Sequence, residues 1–75
     1  MIKLNTIYTT KDGYYIVVIR NPKFKTYELH RSVWRSNLQD FDYLLKEHSS
    51  LLAVGSLPGV RYYARKILDG EDYYG

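Results

Sequence analysis

The chain holds two histidines, His30 and His48, and no cysteine, so nucleophilic or metal chemistry would have to be built from imidazole, hydroxyl and carboxylate groups alone. Acyl transfer needs a hydroxyl activated by a histidine whose ring an acid orients, and the serines stand in no recognisable frame with either histidine. A metal site needs ligands at set spacing, yet there is no H-x-x-x-H, no calcium-loop pattern and no cysteine pair. Asp40, Asp42, Glu47 and His48 do cluster in sequence. On a helix, however, Asp40 and Asp42 lie about 200° apart and cannot share one ion, so the cluster reads as a solvated acidic face. Phosphate-cradling loops of the G-x-G-x-x-G or G-x-x-x-x-G-K kind do not occur. These exclusions point away from an enzyme and away from a cofactor or metal.

Two other groups of residues carry chemistry suited to holding a macromolecule. Arg61, Tyr62, Arg65 and Lys66 combine cations with an aromatic, and Tyr73 and Tyr74 follow after the acids Asp69, Glu71 and Asp72. Tyrosine and arginine dominate the contacts that carry protein interfaces. The second group is the basic run Arg20, Lys23, Lys25, Arg31 and Arg35, interleaved with Phe24, Tyr27 and Trp34. Its cations would neutralise phosphates while an aromatic ring stacks on a base. Strand alternation offers a plainer account, with Lys23 and Lys25 on one face and Phe24 on the other as core. Trp34 likewise reads as a core anchor.

Composition bounds what can position these groups. Seventy-five residues suffice for one domain, here residues 1–75, and a chain this short has little apolar area to spare for a deep cavity. Without disulfides or thiolate metal sites its stability must come from packing, which suits a reducing cytoplasm. The first residues lack the apolar core of a signal peptide, and the longest apolar run, Tyr14 to Ile19, is far too short for a membrane span. The net charge of +3 permits nucleic-acid contact without requiring it. Its distribution is uneven: residues 1 to 37 carry seven Lys and Arg against two acids, and residues 38 to 75 carry four against six. Nine tyrosines exceed what so small a core can bury, so some must lie on the surface.

The elements follow from local pattern. Ile2 to Thr10 is rich in β-branched residues and reads as a strand that Lys11-Asp12-Gly13 turns back. Tyr14 to Ile19 is apolar on both faces, as a covered central strand is. Asn21-Pro22 ends it, and Phe24 to Leu29 returns as a third strand with Lys25, Tyr27 and Leu29 on one face. Ser36-Asn37-Leu38-Gln39 fits a capping box, predicting a helix to about His48 with Leu38, Phe41, Leu44 and Leu45 on its apolar face; an alternative start lies near His30. Ser49 to Gly59 admits two readings. In one, Pro58-Gly59 is a type II turn between strands 51 to 57 and 60 to 67. In the other, a helix runs from about Leu57 to Leu68 with Leu57, Val60, Ala64, Ile67 and Leu68 on one face and Asp69-Gly70 as its stop. The helical period matches more positions.

The segment from Gly13-Tyr14-Tyr15 through Lys25-Thr26-Tyr27-Glu28-Leu29-His30-Arg31-Ser32-Val33-Trp34 resembles the strand, basic strand and histidine-arginine helix start that precede the catalytic motif of HNH-type homing endonucleases. The likeness covers residues 13 to 34. Such a resemblance implies metal-dependent cleavage of DNA, but the downstream Asn-His pair that would complete the catalytic motif is lacking in residues 35 to 75.

The expected fold is thus α+β, an N-terminal three-stranded antiparallel β-meander packed against one or two C-terminal helices. The expected function is a non-enzymatic binding protein acting on a protein partner, an inhibitor or adaptor of a host enzyme of the kind phage and mobile-element genomes encode. The alternative is a nucleic-acid-binding module using the basic N-terminal half. Neither expectation involves a membrane, and the pattern leaves the oligomeric state open.

Overall fold

The computed structural model describes residues 1–33 and 49–70. Within them the chain forms β1 (Tyr8–Thr9), β2 (Tyr15–Asn21), β3 (Thr26–Ser32), β4 (Ser49–Gly55) and α1 (Leu57–Leu68). The strands make one antiparallel sheet in the order β1-β2-β3-β4, so the α+β class holds with a fourth strand added to the expected meander.

The first strand is much shorter than Ile2 to Thr10 because Asn5 adopts φ 58°, a left-handed conformation that asparagine tolerates and a continuous strand does not. Its N–H still reaches Val18 O at 2.8 Å, and Leu4 makes an isolated parallel bridge to Val18. The predicted turn at Lys11-Asp12-Gly13 is present and is organised by Thr10, which is buried. The Thr10 hydroxyl donates to Asp12 Oδ1 at 2.6 Å and accepts from Tyr14 N–H at 2.9 Å. Gly13 takes φ 92°.

Strand β2 fulfils the prediction of a covered strand, with Tyr15, Ile16, Val17 and Val18 all buried. Alternation sends Ile16 and Val18 toward α1, where they cluster with Ile2, Leu29, Val60, Ala64 and Ile67. Tyr15 and Val17 form a second cluster with Ile7 and Ile19 on the opposite face. Each such buried aliphatic side chain contributes about 1.5–3 kcal/mol over its exposed state. The second turn departs from expectation. Asn21 Oδ1 accepts from Lys23 N–H at 3.0 Å, Lys25 takes φ 55°, and β3 starts at Thr26. Phe24 therefore sits on the turn, 66% exposed, and is not the core residue that alternation implied.

His30 lies inside β3, which removes the alternative helix start there. The helix predicted from Ser36 to about His48 falls outside the described residues. Leu51 to Val54 does form a strand, as the hairpin reading held, but it pairs with β3, from Tyr27↔Gly55 to Ser32↔Ser49, with a register shift between Leu29 and His30. Residues 60 to 67 belong to α1 instead. Pro58 stands in its first turn, where proline's missing N–H costs nothing. At the other end Gly70, at φ 86°, donates to Ile67 O at 3.0 Å.

Candidate interaction surfaces and a polar relay

Helix α1 buries Val60, Ala64 and Ile67, and its period leaves Tyr62 pointing away from the sheet, 57% exposed. Tyr63 stands beside it, also exposed, the two rings meeting edge to face at 6.0 Å between centroids. Lys66 Nζ lies 5.4 Å above the Tyr62 ring. Arg65 is exposed and 3.8 Å from Asp69, a surface pair that stabilises little. Arg61 differs from the rest. Its Nε donates to Ile2 O at 3.0 Å, so it ties the helix to the N-terminal segment and is only partly available to a partner. The helix thus brings Tyr62, Arg65 and Lys66 together on its outer side and adds Tyr63, which the sequence reading did not single out. Tyr73 and Tyr74 lie outside the described residues.

Between the end of β4 and the first turns of α1 runs a groove of about 270 Å³, lined by Ala53, Val54, Gly55, Ser56, Gly59, Val60 and Tyr63. Two of its lining positions are glycine, and a Cβ built on Gly55 would meet nothing within 4 Å. Leu51 and Val54 are each more than half exposed. Among the described residues β4 is the terminal strand, paired with β3 on one side only.

The β2–β3 hairpin tip forms a separate patch. Arg20, Lys23 and Lys25 are exposed beside Phe24, and Lys23 Nζ stands 5.4 Å over the Phe24 ring. Arg31 does not join them: its guanidinium stacks on the Tyr14 ring at 4.3 Å. Arg35 falls outside the described residues.

A third arrangement was not anticipated. His30 Nε2 lies 2.9 Å from Glu28 Oε1, and Nδ1 lies 3.1 Å from Ser49 Oγ across the strand pair. The second Glu28 oxygen accepts from Asn21 Nδ2 at 3.0 Å. These bonds hold the Glu28 carboxyl below its ordinary range, the Asn21 bond first and the His30 bond next. Because an ionised carboxylate only accepts, a neutral His30 donates from Nε2 to Glu28 and accepts a hydrogen bond from the Ser49 hydroxyl at Nδ1. Serine, imidazole and carboxylate are connected in the order of an acyl-transfer triad. They are also an ordinary way for a half-buried sheet face to satisfy its polar atoms, since residues two apart on a strand share a face. That spacing, Glu28-x-His30, was readable in the sequence; the contribution of Ser49 needed the β3–β4 register.

Among the described residues no three His, Asp or Glu side chains converge as metal ligands, and no helix is long and apolar enough to cross a membrane. Compared with known proteins, the chain matches no family model, no curated protein and no solved structure.

Proposed function

We propose that this chain is a binding protein without turnover of its own, acting in the cytoplasm on a protein partner, as an inhibitor or adaptor does, through the outer side of α1. The observation that carries the reading is the adjacent exposed pair Tyr62 and Tyr63, with Lys66 over one ring and Arg65 on the next turn. Exposed rings held by a rigid helix lose little conformational freedom on binding, and tyrosine with arginine is the usual make-up of interface hot spots. The test is affinity purification from the native host with nuclease treatment, comparing the unaltered chain with Tyr62→Ala and Arg65→Glu. One or more proteins should be lost from both variants; an unchanged profile in both overturns the reading.

A second reading, nucleic-acid binding at the β2–β3 tip, is favoured by one observation: Phe24 is exposed among Arg20, Lys23 and Lys25. An exposed ring with flanking cations can stack on a base while phosphates are neutralised. Retention on single-stranded DNA or RNA at about 50 mM salt, falling steeply as salt rises, would support it; no retention at that salt would remove it.

A further inference from the structure

We infer that the β2–β3 tip caps an uncovered base pair, the kind found where a nucleic-acid duplex ends or opens into single strands. Phe24 stacks on the exposed base face, Arg20, Lys23 and Lys25 meet the phosphates beside it, and Asn21 holds the ring in place. The inference rests on the nucleic-acid reading of the tip and names its class of ligand.

The tip is built as a fixed mount. Asn21 Oδ1 accepts from Lys23 N–H at 3.0 Å and from Phe24 N–H at 3.4 Å, an Asx turn closed over Pro22, whose ring fixes φ. Asn21 Nδ2 donates to Glu28 Oε2 at 3.0 Å, and the other Glu28 oxygen is bound by His30. One side chain therefore ties the turn that carries Phe24 to the polar row on β3. A ring set at a fixed height loses little freedom when it meets a rigid ligand.

The ring offers one base-sized face. Phe24 is 66% exposed, and Lys23 Nζ stands 5.4 Å over one side of it, so a base approaches the other side. Proteins that track single strands line a groove with successive rings, whereas the tip is a convex turn over residues 22–25 with a single phenyl group. Such a face matches the last pair of a base stack, whose outer side has no neighbour, better than a run of bases.

Charge agrees with this ligand. Arg20 and Lys23 precede the ring and Lys25 follows it, all three exposed, as suits a duplex end where a phosphate backbone runs on either side of the terminal pair. The acids among the described residues are Asp12, Glu28 and Asp69. Glu28 is held by Asn21 and His30, while Asp12 lies in the β1–β2 turn and Asp69 beside Lys11 of that turn, at the far end of β2. The pairing of Ser32 with Ser49 is also remote from the tip, about 20 Å along β3 from Thr26. The described chain is thus interrupted at the end of the sheet away from Phe24.

The test compares a relaxed circular plasmid with the same DNA cut into short blunt fragments, as competitors for a labelled short duplex, and polyphosphate as charge without bases. At equal nucleotide concentration the fragments should compete about 5- to 150-fold better than the circle, the range that stacking one base on one ring gives, and polyphosphate should compete poorly. The fluorescence of 2-aminopurine should change on binding when it stands in the terminal pair and stay constant when it stands inside the duplex. Phe24→Ala should remove the end preference and the fluorescence change while keeping the salt slope, which counts phosphates. Asn21→Ala, checked for folding by circular dichroism and a thermal melt, should do the same with ring and charge intact. Asn21→Ser, which keeps an acceptor oxygen for the turn, should recover part of the preference and serves if the alanine variant does not fold. Equal competition by circle and fragments, equal competition by polyphosphate, or tighter binding of single strands than of duplex ends overturns the inference while the nucleic-acid reading of the tip stands. An end preference that both Asn21 variants retain in full overturns the role of Asn21. No retention of any DNA or RNA at about 50 mM salt removes the reading and the inference together.

Discussion

Glu28 and His30, two positions apart on β3, join at 2.9 Å between Oε1 and Nε2 with both side chains mostly buried. With Asn21 on the other carboxylate oxygen, the ionised form of Glu28 is favoured in the folded protein, and its carboxyl lies below the usual 4.5. A folded value below the unfolded one contributes stability that is present above pH 4.5 and lost as the pH falls toward the folded value. Thermal unfolding followed between about pH 6 and pH 3 should therefore show a falling melting temperature. Glu28→Gln should be less stable than the unaltered chain at the upper end and lose less on acidification. Parallel acid limbs in the two proteins would mean the pair does not contribute.

Ser49 completes the relay, and its reactivity is the sharpest check on whether the chain is an enzyme. With the Ser49 hydroxyl bound to His30 Nδ1 as part of sheet packing, a fluorophosphonate probe should leave Ser49 unlabelled. Ser49→Ala should cost about 0.5–1.5 kcal/mol in chemical denaturation, the net contribution of a single hydrogen bond. Stoichiometric labelling at Ser49 that disappears in His30→Ala would instead establish an activated nucleophile.

The two apolar residues Leu29 and Phe24 should behave oppositely. Leu29 is fully buried in the cluster beneath α1, so Leu29→Ala should lose about 2–5 kcal/mol of stability. Phe24 projects from the hairpin tip, and Phe24→Ser should stay within about 0.5 kcal/mol. Urea denaturation distinguishes them, and a Phe24 variant as damaged as the Leu29 variant would place that ring in a core.

How much of this was readable in advance depended on whether a pattern was local. Tyr14 to Ile19 announced a covered strand because it is apolar at every position. Leu57, Val60, Ala64 and Ile67 announced α1 because their spacing repeats within the element. Strand β4 was only half legible: Leu51-Leu52-Ala53-Val54 has no clean alternation, its pairing with β3 is irregular between Leu29 and His30, and its partner is distant in sequence. The exposure of Phe24 was hidden for another reason. Asn21 and the left-handed Lys25 lengthen the turn past the proline, and nothing in the alternation of Lys23, Phe24 and Lys25 reveals where a turn stops and a strand begins. On the surface, Arg61 looked equivalent to Arg65 until the N-terminal segment came to lie beside it.

Lys11 and Gly70 make a final pair whose coupling can be measured. Gly70 holds φ 86° at the end of α1, and a Cβ there would come within 3.1 Å of Lys11 Cδ, while Lys11 Nζ donates to Asp69 O at 3.0 Å. Gly70→Ala must therefore adopt a left-handed conformation that costs an L residue about 1–2 kcal/mol, and must also displace the lysine that joins the β1–β2 turn to the helix end. Lys11→Ala alone loses an exposed hydrogen bond and should cost well under about 1 kcal/mol. In the double variant the crowding is gone and only the backbone strain and the missing bond remain, so the combined loss should be smaller than the sum of the single losses. Chemical denaturation of the four proteins gives this difference directly. Strict additivity would mean that the lysine stem swings away from the helix end without cost, leaving the glycine's role to its backbone alone.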